Sequence, residues 1–352
     1  MFVQGLGLAH PPQRYTKADC WASFLNSEWL ERLDRRSRMI AEAVLTRDNG
    51  INARWLAIDS LDEVFAITPD VLHARFVRHA PTLASAAGQR ALDDANITAS
   101  DIDAVVVSTC TGYLCPALSG YVIERLGLRS DVQTYDLVGQ GCAAAVPNWR
   151  MAESLVAAGR AQHVLSICVE VCSAAMYLDN DPGVLISACL FGDGAGAAVL
   201  SAAPHRSNRR IQWKSAGSLT VPAEREALRF ETRAGLLRNV LTRRVPQLAA
   251  EAAQRVMHEV LTPLGLSQAD IQTWIWHAGG RDVLLALSER LGLAPSDLAH
   301  SAAALREYGN LSSACVYFVL RAALDDGAPG GLWWMSSFGA GFSCHGALLE
   351  VA

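Results

Sequence analysis

A lone cysteine in a glycine-rich turn is the first place in this sequence where chemistry could happen. Cys142 stands in Tyr135-Asp136-Leu137-Val138-Gly139-Gln140-Gly141-Cys142-Ala143-Ala144-Ala145, followed by a helical pattern through Met151, Leu155 and Val156. Small neighbours let backbone or substrate come close. A cysteine that opens a helix meets unpaired N–H groups and the positive end of the dipole, which favours its thiolate. The same residue also reads as a small buried hydrophobe. His277, in Trp276-His277-Ala278-Gly279-Gly280, ends an apolar run and precedes two glycines that leave its ring open. It is either structural or a base. Asn310, in Tyr308-Gly309-Asn310-Leu311-Ser312-Ser313-Ala314-Cys315, suits a helix N-cap. From that position its amide could also face a site. Cysteine with histidine gives an activated thiolate, and histidine with asparagine gives two donors for a developing oxyanion.

An internal repeat would position these three residues. Ile97-Thr98-Ala99-Ser100-Asp101-Ile102 before the run 104–108 is echoed by Leu266-Ser267-Gln268-Ala269-Asp270-Ile271 before Trp274-Ile275-Trp276. Glu124-Arg125-Leu126-Gly127-Leu128 is echoed by Glu289-Arg290-Leu291-Gly292-Leu293. Gly141-Cys142 is echoed by Gly309-Asn310, and Phe191-Gly192-Asp193-Gly194-Ala195-Gly196 more weakly by Phe338-Gly339-Ala340-Gly341. In each half, apolar runs such as Val105–Val107, Val164–Ile167 and Ala197–Leu200 alternate with helical stretches. Such runs fit strands covered on both faces. The expectation is an α/β fold with αβαβα layers, built from two halves related by a pseudo-twofold. The halves are 1–203, with Cys142, and 204–352, with His277 and Asn310. A charged capping insertion over 204–245 opens the second half. Strand ends and helix N-termini are ligand-binding places in α/β folds, so the three loops would converge. Helices are expected over 28–43 and 72–94. The first carries Arg32, Arg35, Arg36 and Arg38, either a solvated face or an anion-binding rim.

Bulk properties remove other function classes. The 352 residues are 51% hydrophobic and 18% charged, which excludes a disordered chain. A net charge of −5 argues against nucleic acid as the main partner. No apolar run is long enough for a membrane span, and the first residues lack the pattern of a signal peptide. Nine scattered cysteines without a C-x-x-C suggest free thiols in a reducing cytoplasm.

With these motifs in this order, the chain resembles the type III polyketide synthases, the chalcone synthase-like branch of the thiolase-fold condensing enzymes. The resemblance rests on Gly-Gln-Gly-Cys142, Leu190-Phe191-Gly192-Asp193-Gly194-Ala195, His277-Ala278-Gly279-Gly280, Gly309-Asn310-Leu311-Ser312-Ser313-Ala314 and Phe338-Gly339-Ala340-Gly341. It implies a thiolase-like fold and an acyltransferase with no cofactor beyond its CoA thioester substrates. A starter acyl-CoA would load Cys142. His277 and Asn310 would stabilise the enolate left when malonyl-CoA loses CO2, and repeated condensation and cyclisation would follow. It also implies a homodimer that needs no carrier protein, a gatekeeper role for Phe191, and pocket positions at Cys110, Thr111, Ala175, Ser312, Gly339 and Ala340. Cys115 would reach across the dimer interface, and Phe230 is the candidate second gatekeeper. Arg54 and Arg47 are the candidate CoA-binding cations.

The chain departs from the plant enzymes, with His-Ala-Gly-Gly and Gly-Ala-Gly where they have His-Pro-Gly-Gly and Gly-Pro-Gly. Those departures, with the segment 109–116, look more like the bacterial branch that makes alkylresorcinols and alkylpyrones, and a small Ala175 would leave room for a medium- or long-chain fatty acyl starter. The alternatives are a β-ketoacyl-carrier-protein synthase III-like enzyme and a non-catalytic binding protein of the same fold.

Overall fold

The apolar runs form strands buried on both faces. The computed structural model describes residues 1–204 and 209–352. The first half runs β1 (Phe2–Ala9), β2 (Arg14–Thr16), α1 (Lys17–Leu25), α2 (Trp29–Arg32), α3 (Arg35–Thr46), β3 (Ala53–Trp55), α4 (Pro69–Ala95), β4 (Ala104–Ser108), α5 (Leu118–Leu126), β5 (Gln133–Leu137), α6 (Ala145–Ala157), β6 (His163–Glu170), α7 (Pro182–Leu190) and β7 (Gly194–Ser201). The second half runs β8 (Ile211–Thr220), β9 (Leu228–Arg233), β10 (Leu236–Leu241), α8 (Val245–Leu261), β11 (Ile271–Trp276), α9 (Arg281–Leu291), α10 (Ala299–Tyr308), α11 (Cys315–Asp325), β12 (Gly331–Gly339) and β13 (Ser343–Val351).

A mixed nine-stranded sheet has the order β11-β12-β13-β8-β1-β7-β6-β4-β5. The series β4-β6-β7-β1 is repeated as β11-β12-β13-β8, with the same parallel first pair and antiparallel remainder. Pairing of Phe2 with Gln212 and Val3 with Ile211 joins the halves. Helix α4 covers one half-sheet on the outside, and α8, with α9 against it, covers the other. Helices α6 and α11 touch strands of both halves and form the middle layer. There Trp149 Nε1 donates to the Tyr317 hydroxyl at 2.9 Å. This is the expected αβαβα layering.

The repeated motifs turn out to be repeated chain-ending devices. Thr98 with Asp101 and Ser267 with Asp270 each close a capping box, and each Asp accepts from the first residue's N–H at 2.8 Å. Gly127 and Gly292 end α5 and α9 at φ 64°, a left-handed conformation that glycine takes without strain.

Three expectations need correction. The stretch 28–43 is two helices, because Asp34 caps α3 by accepting from the Ser37 N–H at 2.7 Å, and the chain is extended at Leu33. The segment 204–245 is not all insertion. Residues 211–220 are the central strand β8, paired with β13, so the cap reduces to the turn after it and the β9–β10 hairpin; residues 205–208 lie outside the described residues. Finally, α6 begins at Ala145 and α11 at Cys315, an offset of 170, while the 3-10 turns before them begin at Gly141 and Ser312, an offset of 171. The counterparts of Cys142 are therefore Ser312 and Ser313, and Asn310 lies two or three residues earlier.

Candidate active site

Cys142 sits in the 3-10 turn Gly141–Ala143 between β5 and α6, and is 9% exposed. Glycine is required beside it. Gly141 has φ 54°, and a side chain at Gly339 would put its Cβ 2.3 Å from the Gln140 carbonyl. Gly339 and Ala340 thus back the Cys142 turn with main chain, helped by the Ser337 hydroxyl donating to the Ala143 carbonyl at 3.0 Å. They were expected in the pocket, but neither lines the cavity described below.

A run of hydrogen bonds ties the three candidate residues together. The Ser312 hydroxyl lies 3.2 Å from Cys142 Sγ. The Ser312 N–H donates to Asn310 Oδ1 at 2.8 Å, and Asn310 Nδ2 donates to the Gly279 carbonyl at 3.0 Å. The Gly279 N–H returns to the His277 carbonyl at 3.0 Å. Ser312 N–H can only donate, so the Asn310 amide orientation is set, and one Nδ2 hydrogen is left over for a ligand. Asn310 is also held through its backbone, which pairs with Phe191: Gly192 N–H donates to the Asn310 carbonyl, and Asn310 N–H to the Leu190 carbonyl, both at 3.0 Å. A side chain at Gly279 would stand 3.3 Å from His277 Nε2, so glycine keeps that nitrogen approachable.

Burial controls the charges. It pushes the Cys142 thiol up to about 12, the Ser312 hydrogen bond only partly opposing it. It pushes His277 down to about 4. The resting pair is a neutral thiol and a neutral imidazole, rather than the thiolate expected from the helix end. The α-helix starts three residues after Cys142, Glu170 adds a carboxylate nearby, and among the described residues no cation contributes to the balance at the sulfur. His277 Nδ1 has no hydrogen-bond partner among the described residues, so no protein group fixes its tautomer.

Glu170 was missed in the sequence. It ends β6 fully buried, with Cys110 N–H and the Thr111 hydroxyl at 3.0 Å and the Ser312 and Ser313 hydroxyls at 3.2 and 2.5 Å. Burial raises its pKa against these donors. A carboxylate closing an apolar strand was the available signal. Ser312 has one hydroxyl proton, and Cys142 and Glu170 compete for it.

A cavity of about 30 Å³ adjoins this network. Of the candidate pocket residues, Cys110, Thr111, Ala175, Phe191, Phe230 and Ser312 line it. Met176, Ser187, Leu237 and Asn239 are among the lining residues that were not foreseen. Phe230, Leu237 and Asn239 come from the β9–β10 hairpin; Arg238 bridges to Glu231 across the hairpin and clamps it to Asp181 at the start of α7. Cys115 is exposed on the loop before α5 and away from this cavity.

Arg54 is not a mouth residue. It is 5% exposed, and its guanidinium donates to the Ala188 carbonyl at 2.6 Å, the Phe191 carbonyl at 3.1 Å and Cys20 Sγ at 3.3 Å. It braces the Phe191 backbone. Arg47 is exposed. Lys17, Arg281 and Arg306 gather around Asp48, in the loop after α3, and Arg281 follows directly on Gly279-Gly280.

Comparison with known proteins gives the family. Residues 60–217 match the family described as FAE1/Type III polyketide synthase-like protein, and residues 212–350 match the C-terminal domain of chalcone and stilbene synthases. The 1,3,6,8-tetrahydroxynaphthalene synthase of Streptomyces coelicolor is 31% identical over 277 residues, 78% of this chain and 73% of that protein. This chain belongs to the type III polyketide synthases. The 3,5-dihydroxyphenylacetyl-CoA synthase of Streptomyces toyocaensis is also 31% identical, over 71% of this chain and 66% of that one. Among solved structures, polyketide synthase PKS-I of the brown alga Ectocarpus siliculosus superposes with a TM-score of 0.89 at 27% identity, over 99% of this chain and 98% of that one. The fold is therefore thiolase-like, and the protein is a condensing acyltransferase of CoA thioesters that needs no further cofactor. Among the described residues, no helix is long and apolar enough to cross a membrane.

Proposed function

We propose that this type III polyketide synthase loads a short acyl group from a CoA thioester onto Cys142, extends it with malonyl-CoA and cyclises it to a small hydroxylated aromatic ring. The observation that carries this reading is the network Cys142–Ser312–Asn310–Gly279–His277 opening on a cavity of only about 30 Å³. The aromatic and aliphatic lining of Phe191, Phe230 and Leu237 narrows this cavity, which favours a short starter over the fatty acyl starters of alkylresorcinols and alkylpyrones. His277 takes the Cys142 proton as the sulfur attacks the thioester, and CoA leaves as its thiol. Malonyl-CoA then loses CO2. Asn310 Nδ2–H and the His277 ring face the enolate oxygen, and the enolate carbon attacks the acyl–Cys142 thioester. Lys17, Arg281 and Arg306, rather than Arg54, face the CoA phosphates. A second reading, a longer acyl starter, is favoured by one feature. An apolar cavity lined by Phe24, Leu45, Leu61, Val64 and Phe65 shares Met176 and Ala188 with the first. A cytoplasmic homodimer completes the proposal, and the solution mass of the purified chain checks the dimer.

Product mass spectrometry after incubation with malonyl-CoA and acyl-CoAs of increasing length separates the readings. Short starters, or malonyl-CoA alone, give the main product, and Arg281→Ala raises KM for malonyl-CoA several-fold. Preferred turnover of long-chain acyl-CoA would reverse the choice, and no product from any CoA thioester would remove both.

A further inference from the structure

One residue of the cavity wall carries a polar atom that the fold does not use. Asn239, on β10, is 6% exposed and lines the cavity. Its Nδ2 donates to the Ser187 hydroxyl at 2.8 Å. Ser187 has already given its one proton to the Gly183 carbonyl, 2.7 Å away and one turn back in α7, so it can only accept from Asn239. The amide orientation is thereby fixed. Asn239 Oδ1 is left buried with no hydrogen-bond partner among the described residues. The residue cannot swing away cheaply: its neighbour Arg238 is clamped to Asp181 and Glu231, and its own backbone pairs with Phe230.

A buried acceptor without a donor costs stability, and a ligand that brings a donor recovers it. The keto and thioester oxygens of an extending chain are acceptors and would be repelled there. An enol or phenol hydroxyl would be welcomed. We propose that Asn239 is a specificity-determining residue whose side-chain carbonyl accepts a hydrogen bond from a hydroxyl of the bound acyl chain. Ser187 holds that carbonyl in place. This proposal rests on the reading of the cavity as the acyl site of Cys142. The hydroxyl has two possible sources, an enol of the growing polyketide or a hydroxyl already on the starter. In either case Asn239 selects for a chain that presents a donor at one depth and against a chain that presents none.

The test uses the full-length protein, Asn239→Leu and Ser187→Ala, with malonyl-CoA alone and with the pair 3-(4-hydroxyphenyl)propionyl-CoA and 3-phenylpropionyl-CoA. Single-turnover release of CoA on acylation of Cys142 is measured for each protein, with Cys142→Ala as the blank, so that lost loading is told apart from altered selection. If the starter supplies the hydroxyl, the preference in kcat/KM for the hydroxylated starter falls about tenfold or more in Asn239→Leu, the size expected when a buried polar partner is removed. If the enol supplies it, that preference holds, and the malonyl-derived main product falls about tenfold in favour of shorter, prematurely released products. Ser187→Ala, which frees the amide to turn, shifts the same readout in the same direction and decides the matter if Asn239→Leu does not fold. An unchanged starter preference together with an unchanged product distribution overturns the proposal. Failure of the unmodified protein to make any product overturns the underlying function instead.

Discussion

At the scale of single residues, burial favours the neutral form of both candidate reactive groups. Burial holds the Cys142 thiol up to about 12 and His277 down to about 4, so neither ion is stable alone. Moving the proton from sulfur to imidazole makes both charges at once and lets each stabilise the other. In the proposed mechanism the imidazole is the base, so its loss should be felt most where bulk hydroxide is scarce. His277→Ala is predicted to slow alkylation of Cys142 by iodoacetamide at pH 7 by about tenfold or more, with the gap closing as pH rises toward 10. Peptide mapping of the alkylated protein measures this. Equal rates at pH 7 would mean that something other than His277 takes the proton.

At the scale of elements, the site depends on close main-chain packing that only glycine permits. The end of β12 lies flush against the Cys142 turn, where a Cβ on Gly339 would also come within 2.7 Å of the Ala143 Cβ. Gly339→Ala is expected to cost about 1–3 kcal/mol of stability and to lower turnover by shifting Cys142. Thermal melting and steady-state kinetics check it, and a variant with unchanged melting and turnover would show that the turn yields freely. Local signals of this kind were legible in the sequence. The capping boxes at Thr98 and Ser267, the C-terminal glycines Gly127 and Gly292, and the buried valine runs each act within a few residues. The β9–β10 hairpin was not legible. Its charged exterior resembles any surface loop, and Phe230, Leu237 and Asn239 acquire their role only by packing against α7. Arg54 was misplaced for a related reason: a cation in sequence does not reveal that carbonyls of a distant helix will surround it.

At the scale of the molecule, the two halves share one core, so buried titratable groups in either half bear on global stability. His345, on β13, is pushed down to about 4 by burial, as His277 is. An unfolded histidine takes up its proton near 6.5. Their stabilising contribution is therefore complete above pH 6.5 and is lost as pH falls toward 4, with roughly 2 kcal/mol per histidine gone at pH 5. Buried Glu170 and Asp193, whose pKa values are raised, act in the opposite sense. A substitution isolates one contribution. His345→Asn keeps a partner for Ser218, 2.8 Å from His345 Nδ1, and removes the titration. Denaturant unfolding between pH 7 and 5 should show the unmodified protein losing about 2 kcal/mol more than this variant. Parallel losses would show that His345 titrates normally in the fold.

The central claim is that Cys142 carries the acyl chain. Intact-protein mass spectrometry after brief exposure to an acyl-CoA that the enzyme turns over tests it most directly. The predicted result is one added acyl mass, mapped to the peptide containing Cys142, released by hydroxylamine and absent in Cys142→Ala. The same adduct on Cys142→Ala, or turnover by that variant at the unmodified rate, would contradict it.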